Sequence, residues 1–184
     1  DAAPEDTMLT VSDTAYAIAV IRADEAALAE AERLFLDPFA AIFAAAGEHA
    51  RAGTDRFLSL PFFRDAIRLR TRHIDDLVRA ALARGTRQVV LMGAGFDARA
   101  LRLPELAEAG AQVFEVDFPA LLDTKRALLA TAGVDLPALL HPIPCDFAGD
   151  FEATLTASLH AAGFRSTAPT VFIWEGVIPY LTPE

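Results

Sequence analysis

The chain has 184 residues, of which 53% are hydrophobic and 23% charged, with a formal net charge of −10 and a mean hydropathy of +0.31. The length suits one domain of ordinary size or a piece of a larger protein, and the apolar content excludes disorder. No run of about 18 uncharged apolar residues is present, which argues against a membrane span, and the acidic balance argues against nucleic acid or an anionic membrane as partner. Cys145 is the only cysteine, so a disulfide framework within the chain is excluded. Asp1–Thr10 lacks the basic and apolar regions of a signal peptide, and a cytoplasmic protein is expected. Every basic residue except Lys125 is arginine, a preference that GC-rich codon usage explains, and the dispersed charges read as a solvated face.

Residues 1–84 read as helical throughout, a cap preceding a second unit at 85–184. Ala15–Arg33 is alanine-rich with apolar residues at helical spacing, and Asp37-Pro38 breaks the chain before a short apolar helix. Pro61 opens a long helix where its missing N–H costs nothing, and Gly85 closes it in a left-handed cap. From Gln88 the period changes. Gln88–Met92 is a buried strand ending in Gly93-Ala94-Gly95; Ala111–Val116 is a second, ending at Asp117. Pro119–Ala132 is helical, Leu139–Pro144 is a third strand running into Cys145-Asp146, and Gly149–Ala162 is helical again. Thr170–Trp174 is a fourth strand ending at Glu175. Alternation of strands and helices predicts an α/β fold, a parallel sheet with helices on both faces. Apolar rather than alternating strands agree with burial on both sides. Thr182-Pro183-Glu184 reads as a helix start, so the polypeptide is expected to continue and the chain to lack the last strands of the sheet.

Ligands of parallel sheets bind beyond the carboxyl ends of the strands. Those ends are Gly93-Ala94-Gly95, Asp117, Asp146 and Glu175, a glycine turn and three carboxylates on one rim. Asp117 follows the glycine turn at the spacing of about 20 residues expected for ribose recognition, so the rim describes a nucleoside site. The simpler alternatives are turns that use glycine freely and acids that cap helices, as Asp97 is expected to do. Arg70 lies in the apolar stripe Phe63, Ala66, Ile67, Ile74, Leu77, Val78 and Ala81, while Arg68, Arg72, Asp75, Asp76 and Arg79 are expected to point elsewhere. An inward guanidinium needs an anion: a ligand carboxylate, an internal partner such as Glu115, or a snorkelling path to water. S-adenosylmethionine has a carboxylate and NAD does not, although Gly93-Ala94-Gly95-Phe96-Asp97-Ala98 also satisfies the dinucleotide pattern G-x-G-x-x-A. A helical extension that acts as a lid also favours the methyl donor.

Five segments carry a family resemblance: Leu36-Asp37-Pro38-Phe39-Ala40, Arg70-Thr71-Arg72-His73-Ile74-Asp75-Asp76, Gln88 through Leu103, Phe114-Glu115-Val116-Asp117-Phe118-Pro119, and Glu175-Gly176-Val177-Ile178-Pro179-Tyr180-Leu181. In these the chain resembles the leucine carboxyl methyltransferase-like, S-adenosylmethionine-dependent O-methyltransferases, particularly their bacterial branch. The resemblance implies a Rossmann-like methyltransferase fold with a helical N-terminal cap and three further strands beyond the fourth. It implies that Arg70 holds the methionyl carboxylate and that Gly93, with Ala94 and Gly95, lies under the methionine moiety. It assigns Asp117 to the ribose hydroxyls, Asp146 and Phe147 to the adenine end, and Glu175 to the amino group. Tyr180 would reach toward substrate, and Arg22 would match an N-terminal basic residue of the family. Met92, Phe96 and Ala98 depart from the residues usual in the family's glycine turn.

The expected chemistry is in-line transfer of a methyl group from S-adenosylmethionine to an oxygen of a small molecule or peptide carboxylate. The competing readings are an NAD-type oxidoreductase and a non-catalytic S-adenosylmethionine-binding domain. His49, His73, His141 and His160 are far apart and lack ligand spacing, so no metal is expected. Cys145, Trp174 and most phenylalanines read as core.

Overall fold

A four-stranded, wholly parallel sheet organises the chain, with strand order β3-β2-β1-β4. The computed structural model describes residues 11–47, 59–147 and 151–176. Its strands are β1 (Gln88–Met92), β2 (Gln112–Asp117), β3 (Leu140–Pro144) and β4 (Thr170–Trp174), within a residue of the sequence expectation. The helices are α1 (Val11–Ala26), α2 (Ala40–Ala46), α3 (Pro61–Ala83), α4 (Arg99–Arg102), α5 (Pro104–Glu108), α6 (Pro119–Thr131) and α7 (Glu152–Ala161). Among the described residues no helix is long and apolar enough to cross a membrane. The helix start expected at Thr182-Pro183-Glu184, together with Gly149, lies outside the described residues.

The two faces of the sheet are covered by different helices. Val89, Leu91, Val113 and Ile173 point to one face and pack on Val78 and Leu82 of α3 and on Leu103 and Leu106 around α5. Val90, Phe114, Val116 and Ile143 point to the other and meet Leu155 and Leu159 of α7. Strand order runs outward from β1 to β3 and then jumps across β1 to β4, and this reversal carries the connecting helix α7 to the opposite face. The central strands are buried on both faces, whereas the edge strands β3 and β4 are partly open. Prolines 142 and 144 are tolerated in β3 because it is an edge. Trp174, expected in the core, is instead exposed with Phe172 on the outer face of β4, because no described element covers that side of the edge strand.

The N-terminal region differs from a continuous run of helix. α1 ends at Ala26, and the expected continuation to Arg33 is a series of turns. The buried Glu25 carboxylate accepts the Leu34 N–H and folds the chain back, and Glu30, Glu32 and Arg33 stay outside the core. α1 is apolar on two sides because it is sandwiched. Ala17, Val20 and Ile21 pack on Ile67 of α3, while Ala19 faces Phe43 of α2 and Leu121 and Leu129 of α6. Phe96, from the glycine turn, stacks on Phe43 at 4.7 Å between ring centroids and lies 4.8 Å from Tyr16. The cap is therefore packed onto the turn through a shared aromatic core.

α3 keeps its expected limits, with Pro61 in its first turn and Gly85 beyond its end at φ +96°. Its rotation differs. Ile67, Thr71, Asp75, Val78 and Leu82 form the buried stripe, whereas Ala66 and Leu77 face solvent. Asp75, expected to point away, has no exposed surface. It takes a bidentate pair from Arg102 at 2.6 and 2.8 Å and a third bond from Arg99 Nε at 2.9 Å. Two guanidinium groups make burial of this carboxylate tolerable. Arg22 of α1 donates to the Phe96 carbonyl and stands 3.4 Å from the buried Asp37 carboxylate, tying the cap to the turn a second time. Lys125 of α6 bonds Glu115 at 2.7 Å and the Asp97 carbonyl, so Glu115 is not the partner of Arg70.

Asp97 is buried among these cations. Burial pushes its carboxyl up, but Arg99, Arg22, Lys125 and Arg102 together pull it down to about 2. A native pKa below the unfolded value stabilises the fold above about pH 4, and that contribution is lost as pH falls through about 2. Asp97→Asn should therefore lower stability near neutral pH, and urea titrations should show the gap from wild type closing in acid. Phe96→Ala should cost ~3–5 kcal/mol by loss of a stacked core aromatic, read by chemical denaturation. A loss below ~1 kcal/mol would mean that the cap does not depend on this ring.

Candidate functional site

Register brings the predicted rim together. Met92 pairs with Val116 on one side and Trp174 on the other, so Gly93, Asp117 and Glu175 leave the sheet as neighbours. Asp117 pairs with Pro144, which places Cys145-Asp146 one strand further out. The reversal of strand order between β1 and β4 opens its crevice between the glycine turn and Glu175, where parallel sheets bind ligands.

The glycine turn is built by backbone geometry. Gly93 and Gly95 have φ of +73° and +50°, conformations that side chains with a Cβ rarely adopt. Its amides are largely spent inside the protein. The Gly93 and Ala94 N–H groups donate to the Val116 carbonyl at 2.8 and 3.0 Å, and the Gly95 N–H donates to Asp117 Oδ2 at 2.6 Å. Asp117 Oδ1 accepts the Phe118 N–H at 2.7 Å. Each Asp117 oxygen thus holds one amide and keeps a lone pair, so the carboxylate is fixed in direction. Burial raises its pKa against the lowering effect of those two amides and of Lys125. Asp97 Oδ1 accepts the Arg99 N–H at 2.7 Å, two residues on, which closes the turn; the residue at the helix cap is Ala98, and no side chain caps it.

Arg70 stands at the open edge of the crevice rather than in the core, with 39% of its side chain exposed. Its position on α3 lies beside the buried stripe, which is centred on Thr71 and Asp75. Arg70 Nε donates to Glu175 Oε1 at 2.7 Å, and its terminal nitrogens make no hydrogen bond among the described residues. Nη2 lies 4.0 Å from where a Cβ on Gly176 would stand; Gly176 has φ +72°. Glu175 is more enclosed, with 18% of its side chain exposed, and Arg99 Nη1 reaches its Oε2 at 3.3 Å from the buried side. A cation and an anion therefore sit side by side, half open, against the glycine turn.

Asp146 is exposed at the end of β3, and Phe147 is buried against Phe118 and Phe151 in edge-to-face contacts. Tyr180 and His49 lie outside the described residues. Cys145 is a buried thiol whose pKa is raised by burial. No group of three His, Cys, Asp or Glu side chains among the described residues is arranged to hold a metal. Arg99, Asp75 and Arg102 were not expected at the site. Arg99 and Arg102 belong to the motif Asp97-Ala98-Arg99-Ala100-Leu101-Arg102-Leu103, whose small and apolar surroundings were the available signal of burial.

A family model described as leucine carboxyl methyltransferase matches residues 15–184. A protein of Mycobacterium tuberculosis is 42% identical over 120 residues, covering 65% of this chain and 38% of its own length. One of Frankia alni is 40% identical over 176 residues, covering 93% of this chain and 59% of its own length. One of Mycobacterium avium is 41% identical over 120 residues. All three are named as candidate S-adenosyl-L-methionine-dependent methyltransferases. The chain spans less than two thirds of the length of these relatives. With the matched region taking in both the cap and the strand-end residues, this chain belongs to the leucine carboxyl methyltransferase family.

Proposed function

We propose that the chain forms the cofactor-binding part of an S-adenosylmethionine-dependent methyltransferase that acts on a carboxylate or hydroxyl oxygen of a small molecule or peptide terminus. The carrying observation is the half-open Arg70–Glu175 pair beside a glycine turn whose amides are already bonded. Adjacent opposite charges suit a zwitterion, an α-carboxylate facing Arg70 and an ammonium facing Glu175. The remaining lone pairs of Asp117 suit two ribose hydroxyls, and its amide bonds hold it ready for them. Asp146, exposed at the next strand end with the buried Phe147 beside it, suits the adenine end.

When bound, S-adenosylmethionine supplies a methyl group activated by its sulfonium. The protein's contribution is position and exclusion of water. Gly93, Ala94 and Gly95 give the floor a close backbone approach, while Arg70 and Glu175 set the direction of the amino-acid end. An acceptor carboxylate is already ionised at neutral pH, whereas a phenol, with a pKa of about 10, needs a base. Tyr180 belongs to this proposal as a substrate-side residue. The dinucleotide alternative fits less well. Gly93, Ala94 and Gly95 have no amide left for a pyrophosphate, and the helix after the turn has only four residues.

Isothermal calorimetry tests this reading. Arg70→Ala and Asp117→Ala should each weaken S-adenosylmethionine binding by ~1–3 kcal/mol through loss of charged hydrogen bonds. Unchanged affinity in either variant removes that residue from the site. A thermal shift with NAD rather than with S-adenosylmethionine would reverse the choice of cofactor. Binding without turnover across a panel of carboxylates and phenols would leave a non-catalytic binding domain.

A further inference from the structure

Among the described residues, Arg99 is the one guanidinium that touches three parts of the site at once. Nε bonds Asp75 of α3, the helix that carries Arg70; Nη1 bonds Asp97 in the glycine turn and reaches Glu175 after β4. Only 4% of its side chain is exposed. It has no room to reach a ligand from there, so any effect on binding passes through the acids that it holds.

Glu175 has two partners of different kinds. Arg70 holds Oε1 from the open side, and Arg99 holds Oε2 from the enclosed side. A ligand carboxylate on the terminal nitrogens of Arg70 competes with Glu175 for that guanidinium and weakens the first contact, while the second stays in place. Arg99 is pinned by Asp75 and Asp97 and cannot follow, and its contact at 3.3 Å leaves room for Glu175 to tighten against it. We infer that Arg99 is a positioning residue for the amino-acid end of the ligand: from beneath the turn it keeps Glu175 aimed at an ammonium group while Arg70 is shared with a carboxylate. This inference rests on the S-adenosylmethionine reading. Lysine at this position would keep the charge but lose the planar fork that serves three acids together.

A binding cycle decides it, with calorimetry on wild type, Arg99→Lys, Glu175→Gln and the double variant. The probes are S-adenosylhomocysteine, which carries the amino-acid end and has no methyl group to transfer, and 5′-methylthioadenosine, which lacks that end. Arg99→Lys should weaken S-adenosylhomocysteine roughly ten-fold, the scale of one charged hydrogen bond, and leave methylthioadenosine within about two-fold. In the Glu175→Gln background the same change should add almost nothing. Equal losses for both probes, or a full added loss in the double variant, would assign Arg99 to the fold alone. Wild type that binds both probes equally would overturn the inference and leave a nucleoside site standing. Wild type that binds neither would overturn the cofactor reading as well.

A second measurement needs no change at position 99. In protein with nitrogen-15-labelled arginine, S-adenosylhomocysteine should move a protected guanidinium resonance that Glu175→Gln also moves, and methylthioadenosine should leave it in place. A resonance indifferent to both ligands would refute the competition for Arg70.

Discussion

A carboxylate without exposed surface, Asp75, sets the geometry from which the site follows. It is neutralised by the forks of Arg99 and Arg102, which arrive from the short helix after the glycine turn. Breaking such a buried pair from one side leaves an uncompensated charge at a cost of about 3–5 kcal/mol, so α3 has essentially one rotation relative to the turn. That rotation puts Arg70, five residues earlier on the helix, at the mouth of the crevice and not in the core. The aromatic core around Phe96 and the Arg22 contact to its carbonyl hold the same turn from the cap side. The turn is thus gripped on two faces before any ligand arrives.

The layered α/β plan was legible because its signals are local. Strands buried on both sides are short apolar runs, and Gln88–Met92 and Thr170–Trp174 match the described strands residue for residue. Pro61 and Gly85 likewise bracket α3 through properties of single residues. The rim was legible too, since a strand's last residue identifies what it delivers. Ion pairing was not. A stripe drawn from apolar letters alone passes over Asp75, whose partners are 24 and 27 residues away, and so misjudges the helix rotation. The end of α1 was missed for a related reason. Ala-rich composition favours continued helix, but the tertiary bond from Leu34 to Glu25 turns the chain instead.

Burial at the sheet edge shows the limit of reading a strand by its letters. Phe172 and Trp174 alternate with Val171 and Ile173 along β4, and only the second pair meets the packed helices. An apolar residue in a strand is committed to a face, whereas burial requires an element over that face. β1, between two strands and under helices on both sides, has no such freedom, which is why the central strands matched expectation closely.

The glycine turn illustrates how one motif supports two ligands until its amides are traced. G-x-G-x-x-A in a dinucleotide fold leaves backbone donors at the start of a long helix, where a pyrophosphate can use them. Here the same letters are followed by Arg99 and Arg102, whose engagement with Asp75 and Asp97 is accompanied by a helix of only four residues. The donors of Gly93, Ala94 and Gly95 turn back onto Val116 and Asp117. What such a turn offers is shape and a fixed carboxylate, while the half-open charges beside it, Arg70 and Glu175, stand on α3 and after β4. The arginines beyond the glycines are therefore spent on acids of the protein itself, and the turn is followed by no long helix start.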